Sequence, residues 1–118
     1  MAYIYIVRCD DTSLYTGITK QIEKRLRNHA EGTGKSHAKY MRGHKPVELC
    51  ALWETEEYNV AAKLEYAIKK KLTRKEKLEL IGSPDKVHEF FPHLCEYEFL
   101  PRKDLSDVFM SNLQKDTD

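Results

Sequence analysis

Arg25 and His29 lie four residues apart in a stretch that reads as a helix, so they share one face. A guanidinium presents forked donors that match phosphate oxygens. An imidazole titrates close to neutrality and can carry a proton. The pair therefore offers an anion clamp and a proton carrier. Upstream, Tyr5 and Tyr15 stand ten residues apart. Aromatics in strands usually serve as core or cross-strand pairs. A phenol of pKa about 10 is a poor base unless a neighbouring cation lowers it. Taken singly, each has a plain reading: a surface arginine, an exposed or structural histidine, two packed rings.

The elements that must position these residues are legible. Residues 3–7 and 14–18 are aromatic and β-branched, as a half-buried pleated surface requires. Between them Asp10, Asp11, Thr12 and Ser13 supply turn chemistry, which predicts a β-hairpin. Thr19 is the expected N-cap of the following helix, on which Ile22 and Leu26 form an apolar stripe. A loop over residues 31–45 contains Gly32, Gly34 and Gly43. Pro46 then opens an alternating strand over residues 47–53. Residues 56–71 form a helix with Val60, Ala61, Leu64, Ala67 and Ile68 on one side. Thr73 and Glu76 fit a capping box for a further helix ending at Gly82.

The expected fold is α+β. It has a small three-stranded antiparallel sheet flanked by helices, in the order ββαβαα, with a C-terminal extension. Residues 1–82 form the domain. Residues 83–118 form an acidic extension whose apolar run, residues 87–94, packs back on it and whose end is loose. Residues 95–99 alternate and fit an added strand.

Hairpin parity decides whether the two tyrosines can cooperate. Side chains alternate faces along a strand, so Tyr5 and Tyr15 share a face only if the loop between the strands is odd in length. Ile4, Ile6, Leu14, Thr16 and Ile18 then face the other way, toward a covering helix. For Arg25, His29 or Glu65 to share a site with the tyrosines, they must converge on the tyrosine face.

The net charge of +1 conceals an asymmetry. Residues 1–82 hold 16 Lys and Arg against 11 Asp and Glu, whereas residues 83–118 hold 4 against 8. The basic excess gathers in residues 20–45 and adjoins Arg25, which suits a polyanionic partner. Lys24, Arg27, Lys35, Lys39, Tyr40 and Arg42 are candidates for phosphate contacts and stacking. Three cysteines without framework spacing, and no apolar span or signal peptide, fit an intracellular protein, cytoplasmic or nucleoid-associated. His88, His93 and Cys95 lack the spacing of a structural zinc site and an obvious fourth ligand.

Tyr3-Ile4-Tyr5, then Tyr15-Thr16-Gly17, then Arg25 and His29, resemble the GIY-YIG nuclease superfamily, most closely its small stand-alone members. The resemblance runs over residues 1–82. Tyr3 stands where the family has its first glycine, and Thr16 where it has the central isoleucine of the second motif. Residues 64–69, Leu-Glu-Tyr-Ala-Ile-Lys, match the helix that carries the family's metal-binding glutamate. The resemblance implies that Glu65 holds a divalent ion, Mg²⁺ or Mn²⁺. On helical periodicity alone, Glu65 is an exposed carboxylate paired with Lys69. The resemblance further implies that Arg25 clamps the phosphate, that His29 moves protons, and that one tyrosine activates or positions the water while the other orients it. The implied function is a metal-dependent endonuclease that hydrolyses duplex or branched DNA by in-line water attack, in repair or recombination, with a targeting protein as a further partner. The alternative is an inactive nucleic-acid-binding module.

Overall fold

The computed structural model describes residues 1–25 and 46–105. Strands β1 (Ala2–Cys9) and β2 (Leu14–Thr19) form the expected antiparallel hairpin, with Tyr5 opposite Gly17 and Val7 opposite Tyr15. The Thr12 N–H donates to the Cys9 carbonyl and the Cys9 N–H to the Ser13 carbonyl, both at 2.9 Å. Residues 10–12 are thus a three-residue loop, an odd length. Thr12 takes the left-handed conformation, with φ 70°. Glycine is the usual occupant there, and a β-branched residue is rare. Two contacts hold it. Asp11 Oδ1 accepts from the Ser13 N–H at 3.0 Å, and Arg74 Nη2 donates to the Thr12 carbonyl at 2.7 Å.

Strand β3 (Pro46–Thr55) pairs with the other side of β1. Its register slips between Ile6, opposite Ala51, and Val7, opposite Leu49, leaving Cys50 unpaired. The bulge has a use. Leu49 and Leu52 are three apart and would otherwise face opposite ways, yet both join Tyr5 and Val7 in one buried cluster. Ala51 and Trp53 face the other side with Ile4 and Ile6.

The sheet has four strands, not three, in the order β2-β1-β3-β4. The fourth, β4 (Leu100–Pro101), lies just beyond the alternating run at 95–99 and pairs with Trp53 and Glu54. A strand of two residues leaves no periodicity to read. It exists because the extension returns past β3, where the Arg102 N–H also donates to the Leu52 carbonyl at 2.9 Å.

Residues 22–25 form a helical turn, α1. Its first bond runs from the Arg25 N–H to the Gln21 carbonyl, so Gln21 occupies the cap position expected of Thr19. Thr19 closes the turn just before, accepting the Gln21 N–H on Oγ1 at 3.0 Å. Helix α2 (Tyr58–Lys71) buries Val60, Ala61, Leu64, Ala67 and Ile68 against the Ile4 face. Helix α3 (Arg74–Gly82) opens on the expected capping box, with Thr73 and Glu76 exchanging bonds. Those bonds hold the Glu76 carboxyl below its ordinary pKa.

The extension completes the core. A 3₁₀ turn (Pro84–Lys86), helix α4 (Val87–Phe90) and a second 3₁₀ turn (Pro92–Leu94) bring Val87, Phe91, Leu94 and Phe99 into the Ile4 cluster. Trp53 Nε1 donates to the Pro84 carbonyl and Thr55 Oγ1 to the Glu98 carbonyl, each at 2.8 Å. Among the described residues, no helix is long and apolar enough to cross a membrane.

Candidate nuclease site at the edge of the sheet

Tyr5 and Tyr15 share a face, as the odd loop requires. Because Tyr5 pairs with Gly17 and Val7 with Tyr15, the two rings are diagonal neighbours, with centroids 6.4 Å apart. Tyr5 lies across Gly17. A Cβ added there would stand 2.5 Å from the Tyr5 hydroxyl and 2.6 Å from the ring carbon bearing it. Glycine is therefore required for close approach rather than for a turn. The Tyr5 ring is carried over β2, an edge strand, toward the rim of the sheet.

Arg25 meets it there from α1, its Nη1 donating to the Tyr5 hydroxyl at 3.5 Å. Next to Arg25, Thr19, Lys20, Gln21 and Lys24 line a polar depression of about 240 Å³. Three cations around one small hollow make it a fitting seat for an anion.

Glu65 arrives from an unexpected direction. Helix α2 covers the opposite face, so its glutamate cannot descend onto the tyrosine face. Its helix instead passes the β2 rim, where Lys69, the partner of Glu65, stands over Tyr15. The Glu65 carboxylate raises the pKa of both Tyr5 and Tyr15. Its Oε2 lies 3.6 Å from Lys69 Nζ, and that ammonium stands 5.6 Å above the Tyr15 ring. Convergence on one face is thus replaced by convergence at one edge. The Glu65–Lys69 pair expected from helical spacing is present as well.

Burial is the main cause of the raised pKa of Tyr5. The neighbouring phenol adds to it, and Arg25 opposes it. Tyr15 is likewise pushed up by burial against the pull of Arg25. Burial thus favours the protonated form of both phenols.

Four of the five residues expected to act together, Tyr5, Tyr15, Arg25 and Glu65, come together. His29 lies outside the described residues, as do Arg27, Lys35, Lys39, Tyr40 and Arg42. Lys69 was legible only as a partner for Glu65. Its seat over Tyr15 depends on how a helix passes a strand edge, which spacing does not reveal. His88 Nε2 bonds the Tyr97 carbonyl at 2.7 Å, and no three His, Cys, Asp or Glu side chains gather among the described residues. A single, partly exposed carboxylate, with no cluster of carboxylates, histidines or cysteines gathered beside it among the described residues, suits a hard ion that keeps most of its water, and does not suit zinc.

A sequence profile of the GIY-YIG catalytic domain matches residues 1–79. The chain belongs to the GIY-YIG family. Its domain is accordingly of nuclease type. The chain is 49% identical over 83 residues to a UPF0213 protein of Clostridium perfringens, covering 70% of this chain and 85% of that one. It is 42% identical over 94 residues to the UPF0213 protein YsiG of Lactococcus lactis, covering 80% and 86%. The solution NMR structure of a UPF0213 protein from Bacillus halodurans is 38% identical, with a TM-score of 0.45 over 74% of this chain and 93% of that one. The GIY-YIG profile stops before the segment that supplies Phe91, Leu94 and β4.

Proposed function

We propose that this protein is a metal-dependent endonuclease that hydrolyses DNA phosphodiester bonds by in-line attack of water. The observation that carries the reading is the meeting of Tyr5, Tyr15, Arg25 and Glu65, from four separate elements, at one edge of the sheet. A packing role explains two rings. It does not explain why an arginine and a glutamate reach the same phenols from opposite sides.

Each group has a task. Arg25, with Lys24 beside it, holds the scissile phosphate and offsets the charge that builds on it. Glu65 holds Mg²⁺ or Mn²⁺, and that ion supplies charge relief at the phosphate. Tyr5 and Tyr15, kept protonated by burial, donate hydrogen bonds that orient the water and phosphate oxygens. His29, four residues beyond Arg25 in the sequence, is the proton carrier. Arg27, Lys35, Lys39, Tyr40 and Arg42 extend the contact along the polynucleotide. The substrate is duplex or branched DNA in repair or recombination inside the cell, with a targeting protein as a further partner. Residues 1–82 form the nuclease unit, and residues 83–118 an extension that closes its core.

Incubating the full chain with labelled linear and branched DNA, with and without Mg²⁺, tests the reading. Cleavage that needs the ion and is lost in Glu65→Ala is expected. Binding without cleavage by the wild type would leave only an inactive nucleic-acid-binding module.

A further inference from the structure

Helix α2 has a second functional flank. Lys63 and Tyr66 stand three apart, on the flank of the helix turned away from Glu65, and neither contributes to the core. Tyr66 is 60% exposed, a large aromatic given to solvent on a helix. Together they wall an open groove of about 470 Å³, with Lys71 at one end. The opposite wall is the extension, which contributes His93, Glu96 and Tyr97. Tyr97 packs partly into the core, and Lys63 Nζ stands 6.0 Å over its ring. Two fixed cations face one carboxylate, so the groove is net positive.

Exposed ring, fixed cations and open walls together select one kind of occupant. A flat base can stack on Tyr66 while the phosphates on either side meet ammonium groups, a pairing tolerant of sequence because every base has a π-face. A duplex hides its base faces and offers Tyr66 nothing to stack on. An acidic peptide would use the lysines but leave the ring without a partner. The half of the groove supplied by His93 and Tyr97 lies beyond the GIY-YIG match, so the device belongs to this chain's extension.

We propose that the groove between α2 and the extension binds single-stranded nucleic acid, with Tyr66 stacking on a base and Lys63 and Lys71 holding the backbone. The placement deepens the nuclease reading and rests on it for its purpose. The groove lies across α2 from Glu65, so a substrate that fills both sites carries an unpaired segment that passes the helix on its way from the cut.

Binding tests this without cleavage. Fluorescence anisotropy of the full chain with labelled oligothymidylate, oligouridylate and a duplex of equal length is measured in chelator. Tyr66→Ala should weaken single-strand binding about tenfold, and Tyr66→Phe should hold it. Lys63→Ala with Lys71→Ala should make its salt dependence shallower. Duplex binding should stay unchanged in all three variants. Tyr66 is exposed, so its loss leaves the fold intact. Unaltered single-strand affinity in Tyr66→Ala, an equal loss on duplex, or a wild type that binds neither oligomer overturns the proposal. If the oligomers bind through Tyr66 but no DNA is ever cut, the groove stands and the nuclease reading falls. DNA cleavage by a protein whose Tyr66 is inert does the reverse.

Discussion

On one face of the sheet Ile4, Ile6 and Trp53 meet Leu64, Ile68, Phe91 and Leu94, all of them buried. On the other face Tyr5, Val7, Leu49 and Leu52 are just as buried; among the described residues Ile22 packs with them, and Tyr3, Tyr15 and Leu105 lie partly exposed at the margins. The same strands feed both faces. The first spends its side chains on hydrocarbon packing, and the single polar atom of its largest residue, Trp53, is satisfied by a carbonyl of the extension. The second runs out to a rim where phenols, a guanidinium, an ammonium and a carboxylate meet. Alternation along a strand gives the two faces of one sheet different neighbours, and only the tyrosine face leads out to this polar rim. Substitutions on the two faces should therefore separate in their effects.

The largest separation is expected from Glu65→Ala. It should lower the cleavage rate by roughly 10³-fold or more, since several kcal/mol of charge stabilisation at the phosphate is lost. Thermal unfolding should barely move, because the lost pair with Lys69 is a partly exposed surface contact. Undiminished cleavage would return Glu65 to the status of an ordinary helix carboxylate.

Trp53→Ala is the counterpart on the Ile4 face. It should cost roughly 3–5 kcal/mol in urea unfolding, while the rate per folded molecule in the cold stays close to wild type. A rate loss exceeding the loss of folded protein would show that the two faces are coupled.

Gly17→Ala tests the rim itself. The new Cβ cannot coexist with the Tyr5 hydroxyl where it stands, so the ring must shift. A misplacement of that size should cost about 10²-fold in rate, with a stability loss of about 1–3 kcal/mol. Kinetics and unfolding on one preparation check both numbers. Full activity would mean that Tyr5 serves only to pack.

Arg25→Lys keeps the charge and removes the fork. A loss of roughly tenfold or more in rate at saturating metal is expected. Wild-type rates would reduce Arg25 to one member of a basic surface.

The smallest effect concerns alkaline stability. An unfolded tyrosine releases its proton near pH 10. Tyr5 holds its proton to higher pH because burial disfavours the phenolate. Below about pH 10 both states are protonated and stability is flat. Above it the unfolded chain releases protons first, so stability falls as pH rises. Urea midpoints measured from pH 8 to pH 11 should show this slope reduced in Tyr5→Phe. An identical slope in that variant would place the effect elsewhere.

Much of this was written locally. Tyr and β-branched residues marked the hairpin strands, and Thr73 with Glu76 marked the start of α3, because caps and pleats are chosen by neighbours in sequence. Hairpin parity placed both tyrosines on one face, since alternation has a period of two and an odd loop preserves it. The motif residues placed the chain among GIY-YIG domains, and the profile match agrees.

Other features were decided only in three dimensions. Thr12 occupies a glycine-like conformation because Arg74, distant in sequence, holds its carbonyl. The bulge at Cys50, which turns Leu49 and Leu52 to one side, has no marker in the alternation it interrupts. Strand β4 is two residues long and exists only because β3 offers it an edge. Glu65 sits with Lys69 at the rim of β2, a place set by where α2 crosses the sheet. Its helical spacing reveals which residues share its stripe, and that information is local. Which strand edge the stripe overhangs depends on packing across more than forty residues of chain, and no pattern within the helix carries it.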